Sequence, residues 1–95
     1  MKYLKVSWIH NNEDYPIDFY FELDDDFNEL KKIEIYKNGL VGYADKENEI
    51  NGTIVSEEKI PSSDEISKQK EFILVEITKE EFYKIYIERV KGKII

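Results

Sequence analysis

Catalytic side chains are scarce in this chain. It contains a single histidine, His10, and no cysteine, so thiolate catalysis and thiolate metal sites are excluded. A serine nucleophile would have to use His10 as its base, but Ser7 lies three residues away in an alternating stretch and points to the opposite strand face. We therefore interpret His10 as a residue at the rim of the core, with one ring nitrogen bonded to a backbone carbonyl. We predict that the protein is not an enzyme.

Carboxylates are numerous, and one pair has a spacing of chemical interest. Glu22 and Asp24 lie two residues apart on one strand face, about 6 to 7 Å from each other, which is near the separation that glycosidases use. A flat, wet strand face has no deep pocket that would make one of them an acid, so a solvated surface is the better interpretation. One alternative stays open: a small enzyme or ligand-binding domain with a concave pocket. The residues of that alternative site are Trp8, His10, Tyr20 and Glu22.

Metal and phosphate sites are not indicated. Residues 24–29, which begin with three aspartates, superficially resemble a calcium loop. They lack the glycine at the sharp turn and the glutamate at the twelfth position. The four glycines of the chain form no glycine-rich phosphate loop. We expect neither a metal nor a cofactor.

Charge is distributed unevenly along the chain. The net charge is -7, and residues 11–29, which we call the acidic segment, contain many acidic residues and no lysine or arginine. Such a protein repels phosphates, so we expect no direct nucleic-acid binding, whereas a basic protein surface would be attracted. A solubility face is the other interpretation. The residues that we expect to contact a basic partner are Asp14, Tyr15, Asp18, Tyr20, Glu22, Asp24, Asp25 and Asp26.

The apolar residues indicate the strands that hold these side chains. Strict alternation of apolar and polar residues, rich in β-branched and aromatic types, is typical of strands with one wet face. Asn38-Gly39 is a strong hairpin signal, and residues 45–52 are predicted to form a polar loop. The predicted strands cover residues 3–10, 17–24, 29–37, 40–44, 71–77 and, as a short edge strand, 53–55.

Two helical segments are indicated in the second half of the chain. Proline and serine at the start of residues 61–66 predict one or two helical turns with a capping serine at their entry. Thr78 and Glu81 form a capping box that begins a C-terminal helix. Phe82 and Ile85 give this helix an apolar face, and Gly92 is expected to end it.

These elements predict an α+β fold in a single domain, residues 1–95. It is a mainly antiparallel sheet of four to six strands with the C-terminal helix packed on one face. No apolar run reaches the length of a membrane span and no signal peptide is recognisable, so we expect a cytoplasmic protein without a membrane partner. The residues expected in the core are Trp8, Phe19, Phe21, Ile33, Ile35, Phe72 or Ile73, Phe82 and Ile85.

A spaced set of residues runs through nearly the whole chain. In order, its members are Tyr3-Leu4-Lys5-Val6, Trp8, His10, Pro16, Tyr20, Glu22-Leu23-Asp24, Glu29, Lys31-Lys32-Ile33-Glu34, Tyr36, Asn38-Gly39, Gly42-Tyr43-Ala44, Ile60-Pro61, Glu65-Ile66, Glu71-Phe72, Ile77 and Glu80-Glu81-Phe82. The set resembles a family of small bacterial domains of unassigned function and contains no catalytic signature. The family pattern prefers arginine where this chain has Phe27 and Lys31, and tryptophan where it has Tyr86.

The resemblance implies a function that the residues alone do not. Members of the family occur in loci of polymorphic or contact-dependent toxins, where small proteins of this kind are immunity proteins. The implied function is therefore to bind and neutralise a cognate toxin domain by non-catalytic contact. The implied partner has a basic surface, as a nuclease would. A structural or regulatory interaction domain outside any toxin system is a further alternative, and the oligomeric state is left open.

Overall fold

A computed structural model describes residues 1–61 and 63–93, apart from the side chains of residues 63 and 93. The strands are β1 (Lys2–Trp8), β2 (Asp18–Leu23), β3 (Glu29–Ile35), β4 (Val41–Ala44), β5 (Glu49–Ile50) and β6 (Phe72–Glu76). The helices are α1 (Ser63–Ser67) and α2 (Lys79–Arg89), and a 3-10 turn follows at Lys91–Lys93. Within these residues the six strands form one antiparallel sheet in the order β5-β4-β3-β2-β1-β6. The predicted α+β class with a C-terminal helix is confirmed.

The order of the strands brings distant parts of the chain together. Strands β1 to β5 form a meander, while β6 pairs with β1 from the far side. Val6 lies opposite Phe19 on β2 and opposite Leu74 on β6. Trp8 lies opposite Phe72. Because paired side chains share a face of the sheet, the register gathers Trp8, Phe19 and Phe72 on one side.

The two Asn-Gly pairs make different turns. Of Asn38-Gly39 only the glycine has a positive φ, 89°, and it closes the predicted hairpin between β3 and β4. Asn51 and Gly52 both have positive φ, 56° and 80°, which is the type I′ combination. This second turn reverses the chain after β5, a strand that lies within the predicted loop at 45–52. The edge strand expected at 53–55 is not formed.

Both faces of the sheet are covered, so the expectation of one wet face is wrong. Helix α2 packs on one face, which we call the α2 face, against Tyr3 and Tyr20. Helix α1 and the segment around Ile60 pack on the other, the α1 face. The buried hydrophobic cluster of the α2 face consists of Tyr3, Tyr20, Ile33, Val41, Tyr43, Phe82 and Val90. That of the α1 face consists of Leu4, Val6, Phe21, Leu23 and Ile66.

The expected core is divided between these two faces. Phe21, Ile33 and Phe82 are buried as predicted. Ile73, the alternative to Phe72, is 51% exposed, so that alternative is wrong. The sequence predicts one core in which helix α2 packs over Phe21. Phe21 and Phe82 lie on opposite sides of the sheet, so the helix does not cover Phe21. The expected core residues that are only partly buried are Trp8, Phe19, Ile35, Phe72 and Ile85.

The helices begin where the sequence indicates. The Glu81 N–H donates to the Thr78 hydroxyl at 3.1 Å, and the Glu81 carboxylate accepts from the Thr78 N–H, so the capping box is confirmed. The helix ends at Arg89, three residues before Gly92, which lies in the 3-10 turn. Position 62, at the entry of the predicted helical turns, is outside the described residues. Neither helix in the described ranges is long and apolar enough to cross a membrane.

Candidate functional site

Aromatic rings gather at one end of the α1 face around Trp8. The centroid of the Trp8 ring lies 4.4 Å from that of His10, 5.5 Å from Tyr15, 5.7 Å from Phe72 and 6.3 Å from Phe19. These separations are those of interacting aromatic pairs. Tyr15 is 51% exposed and the other four are partly exposed. We call these five residues the Trp8 cluster, and they present an aromatic surface to solvent.

The loop between β1 and β2 is organised by His10. The Asn12 N–H donates to Nδ1 of His10 at 3.0 Å, and Nε2 lies 2.8 Å from the carbonyl oxygen of Pro16. Because Nδ1 accepts, the proton is on Nε2 and is donated to that carbonyl. The Asn12 side chain accepts in turn from the Asp14 N–H at 2.9 Å. His10 is therefore the rim residue that we predicted, and its bonds fix the loop that carries Tyr15.

An apolar groove of about 350 Å³ adjoins the Trp8 cluster. One wall is formed by the sheet and the other by the segment that includes α1. Phe19 and Phe72 belong to both the groove and the cluster, so the two make one continuous surface. Apolar concave surfaces of this kind accept apolar groups of a ligand or a partner. The lining residues are Val6, Phe19, Phe21, Ile60, Pro61, Ile66, Gln69 and Phe72.

The acidic segment does not form one surface. Asp14 lies in the loop before β2, beside Tyr15, whereas Asp25 and Asp26 lie in the turn after β2. The ends of a six-residue strand are about 17 Å apart, so the two groups of acids form separate surfaces. Asp18 begins β2 and accepts a hydrogen bond from the Ser7 hydroxyl at 2.8 Å. The sequence correctly places Asp14, Asp25 and Asp26 in solvent, but their charge is divided between two ends of the sheet.

Asp24 has a structural role in the turn after β2. Its carboxylate accepts from the N–H groups of Asp26 and Asn28, both at 2.9 Å, and from the Asn28 side-chain amide at 3.0 Å. These hydrogen bonds, led by those from Asn28, lower the pKa of Asp24. They hold a turn in which Phe27 adopts a φ of 66°, uncommon for a bulky residue. The turn lets the Phe27 ring pack on the α1 face.

Tyr20 and Glu22 lie on the α2 face and are buried, so the expectation that they face solvent is wrong. Oε2 of Glu22 accepts hydrogen bonds from the hydroxyls of Tyr3, at 2.9 Å, and Tyr83, at 2.5 Å. The Lys31 ammonium donates to the Tyr83 hydroxyl at 2.9 Å and lies 4.0 Å from Oε1 of Glu22. We call Tyr3, Glu22, Lys31 and Tyr83 the tyrosine–glutamate network. It joins three strands to α2.

The network favours neutral tyrosines. Burial, the hydrogen bond to Glu22 and the charge of that carboxylate raise the pKa of Tyr3 to about 12. The same causes raise the pKa of Tyr83. Burial and a 2.7 Å hydrogen bond to Asp45 also raise the pKa of Tyr43, on the same face. A deprotonated tyrosine here would place a second negative charge beside a carboxylate, so the fold is stabilised with these tyrosines neutral.

The alternative site of Trp8, His10, Tyr20 and Glu22 is not assembled. The first two side chains lie on the α1 face and the last two on the α2 face, with the sheet between them. Both ring nitrogens of His10 have hydrogen-bond partners, so in this geometry neither is free to act as a base. Among the described residues, no group of three or more histidine, aspartate or glutamate side chains is placed to hold a metal ion.

Sequence reasoning missed the groove and the network. We assigned Phe19 and Phe72 to the core, and only the pairing of β6 with β1 shows that they line an open surface beside Trp8. Tyr83 lies 61 residues from the carboxylate to which it donates, so no local pattern indicates the contact. The one available signal was the pair of tyrosines, Tyr3 and Tyr20, on the face that we expected to be wet.

Comparison with known proteins identifies a family. The family model described as Domain of unknown function (DUF6881) matches residues 2–91. The chain belongs to this family. No curated protein and no solved structure matches the chain. The DUF6881 match extends from β1 to beyond α2, so it includes the Trp8 cluster, the groove and the tyrosine–glutamate network. The predicted membership of a family of small domains of unassigned function is confirmed.

Proposed function

We propose that the protein is an immunity protein that binds and neutralises a cognate bacterial toxin domain without catalysis. The Trp8 cluster carries the proposal, together with the family resemblance described above. Tryptophan and tyrosine are the residues that most often dominate binding energy at protein interfaces. Tyr15 presents its ring on a loop that His10 and Asn12 already hold in place. A loop that is ordered before binding loses little entropy on binding.

Acidic side chains next to Tyr15 define the chemistry of the partner. Glu13 and Asp14 precede it in the loop and both are exposed. A toxin with a basic surface, such as the phosphate-binding cleft of a nuclease, would be attracted by them, and salt would slow the association. Of the contacts first expected, Asp14 and Tyr15 are therefore the ones we retain at this end of the sheet.

The other expected contacts have different places in the proposal. Asp25 and Asp26 form a separate exposed surface at the far end of β2, which we use as the comparison. The remaining four have internal contacts: Asp18 with Ser7, Tyr20 with Lys5, Glu22 with Tyr3 and Tyr83, and Asp24 with Asn28. A cytoplasmic location would follow from this function and stays a prediction.

The test uses the protein encoded next to this chain in its genome as the candidate toxin. Its C-terminal domain is expressed alone to measure growth arrest, and this chain is then co-expressed to measure rescue. The purified pair is titrated by calorimetry. We expect the variant Asp14→Lys/Tyr15→Ala to bind at least about 30-fold more weakly, the effect of losing a hot spot worth about 2 kcal/mol. Its association rate should also lose most of its salt dependence.

A matched variant reverses the charge at the far end of β2. Asp25→Lys/Asp26→Lys makes a charge change of the same kind, twice as large, on residues that are also exposed, and it should leave affinity close to that of the parent protein. A neighbouring domain that is not toxic, or whose toxicity this chain does not relieve, would contradict the immunity function. Loss of binding in the far-end variant with full binding in the Asp14/Tyr15 variant would instead show that the function is right and the surface wrong.

Binding of a small apolar ligand is a second candidate, and the groove beside Phe19 and Phe72 is the observation that favours it. Emission from Trp8, the only tryptophan of the chain, reports on this region because its ring contacts both phenylalanines. Titration with an apolar fluorescent probe should give saturable one-to-one binding if the groove is a ligand site. A probe that binds without saturation, or only to unfolded protein, would exclude it.

A further inference from the structure

Strand β6 has a free edge. It is the last strand of the sheet beyond β1, and no described residue pairs with its outer side. The Glu71 carbonyl accepts from the Ile9 N–H, and the Ile77 N–H donates to the Tyr3 carbonyl. Because backbone groups of an antiparallel strand point alternately to its two sides, the backbone groups of Phe72, Leu74 and Glu76 do not pair with β1. The Phe72 N–H donates to the Gln69 carbonyl at 3.0 Å, so the groups left for pairing are the Phe72 carbonyl and both backbone groups of Leu74 and Glu76. They offer a row of donors and acceptors to another strand.

The side chains at this edge are apolar and exposed. Ile73 is 51% exposed and Val75 is 49% exposed, on the α2 face but away from the helix. Ile9, which continues the same face of β1, is 60% exposed. Free edges in natural proteins are usually blocked by proline, lysine, a bulge or a covering element. Within Phe72–Glu76 the only polar residue is the terminal Glu76, so this edge is left open for pairing.

We propose that β6 is a dimerisation strand, which pairs antiparallel with β6 of a second copy to form a continuous twelve-stranded sheet. The pairing has its two-fold axis at Leu74. This register gives a partner to all five residues of the strand, with Phe72 opposite Glu76 of the second copy. It also places each Ile73 directly opposite Val75 of the other copy. These are non-hydrogen-bonded pairs, in which the side chains approach most closely.

The charge of the strand and its flanks favours a second copy as the occupant. The molecule has a net charge of -7, which opposes self-association through most of its surface. Residues 68–79 are an exception, because their three lysines outnumber their two glutamates. Antiparallel pairing brings Lys70 of one copy toward Glu76 of the other, twice by symmetry. This edge therefore combines exposed apolar side chains, free backbone groups and a local charge that complements itself.

Solution mass and covalent capture test the proposal on the full chain. Sedimentation equilibrium should show a reversible dimer, and Ile73→Lys/Val75→Lys should raise its dissociation constant at least about 30-fold. Both side chains are exposed in the monomer, so circular dichroism should show an intact fold. The control Ile54→Lys/Ile87→Lys adds the same charge at two residues away from β6, 59% and 60% exposed, and should leave the dimer unchanged. A protein that stays monomeric at every attainable concentration would overturn the proposal.

A single cysteine reports the register directly, since the chain has none of its own. Residues of a hydrogen-bonded antiparallel pair have Cα atoms about 5.5 Å apart, within the range that a disulfide spans. Leu74→Cys should therefore form a disulfide-linked dimer rapidly under mild oxidation, whereas Ile87→Cys should remain largely monomeric. Equal rates of cross-linking for the two cysteines, or a dimer unaffected by Ile73→Lys/Val75→Lys, would show that β6 is not the interface.

Discussion

An eleven-residue helix covers the α2 face of the sheet, whereas the α1 face has a helix of five residues. Under the long helix, Phe82 and Ile33 are fully buried, and the only carboxylate of the network has tyrosine partners. Under the short helix, Phe19 and Phe72 remain partly exposed and line an open groove. The same strands therefore supply a closed face and a partly open one.

The difference indicates that the two faces have different roles. The α2 face buries the largest aromatic set and ties β1, β2 and β3 to the helix, which provides a rigid base. The α1 face is held by fewer buried side chains at its centre and leaves the Trp8 cluster accessible at one end. Binding residues in proteins often lie on surface segments that a rigid scaffold holds in position. We therefore expect mutations to affect stability mainly on one face and binding mainly on the other.

The largest expected effect comes from truncating one aromatic residue on each face. Phe82→Ala removes a fully buried ring from the α2 face and should lower the free energy of unfolding by about 3 to 5 kcal/mol. Trp8→Ala removes a partly exposed ring and should cost less, about 2 kcal/mol. Urea denaturation followed by circular dichroism measures both, since tryptophan fluorescence is lost in the second variant. Equal losses would mean that the two faces are packed alike.

A smaller effect is expected at a tightly packed position of the α1 face that does not line the groove. A Cβ on Gly42 would overlap the Thr53 hydroxyl and lie 3.2 Å from the Thr53 Cβ. Thr53 is 1% exposed and donates to Glu34 at 2.5 Å, so it has little room to move. Gly42→Ala should therefore cost about 1 to 3 kcal/mol, a typical overpacking penalty.

Gly92→Ala is the matched control for that substitution, because among the described residues no atom beyond its chain neighbours lies within 4 Å of the added Cβ. It should change the free energy of unfolding by less than about 1 kcal/mol. Thermal or urea unfolding of the two variants under the same conditions gives the comparison. If Gly42→Ala were as stable as Gly92→Ala, the α1 face would be loosely packed along its whole length, not only at the groove.

Local features of the sequence predicted most of the fold. Period-two alternation identifies β1 and β2, and the Thr78–Glu81 capping box identifies the start of α2, because each depends on neighbours in the chain. The choice of face did not follow from the sequence. Helix α2 packs against Tyr3 and Tyr20, whereas the alternation of apolar and acidic residues along β2 predicts Tyr20 on the wet face. Tyrosine has an apolar ring and a polar hydroxyl, so it is found both in cores and at surfaces. Its position on one side of an alternating strand therefore does not decide which side is covered.

The candidate site was less predictable than the fold. Charge alone led us to treat the acidic segment as one surface, although β2 separates its two ends and buries Glu22 between them. The role of His10 was predictable, since a lone histidine without a nucleophile on its own face is most simply a hydrogen-bonding rim residue. The groove requires contacts between Phe19, Phe72 and the segment around Ile60, which are distant in sequence. Long-range pairing of this kind has no local signature.

The last effect that we predict appears only at alkaline pH and concerns protons on the closed α2 face. The pKa of Tyr3, about 12 in the folded protein, exceeds the value of about 10 for a tyrosine in an unfolded chain. The unfolded state therefore releases this proton first, so the stabilisation is complete below pH 10 and declines as the pH rises toward 12. Each such tyrosine contributes a slope of about 1.4 kcal/mol per pH unit in that window. Urea unfolding at a series of pH values gives the free energy of unfolding as a function of pH. Tyr3→Phe should reduce the slope of that curve above pH 10 by the contribution of one proton. Between pH 7 and 9 the curve of the variant should run parallel to that of the parent protein. An unchanged slope above pH 10 would mean that Tyr3 is not held neutral beside Glu22, and that the α2 face is more open than its burial indicates.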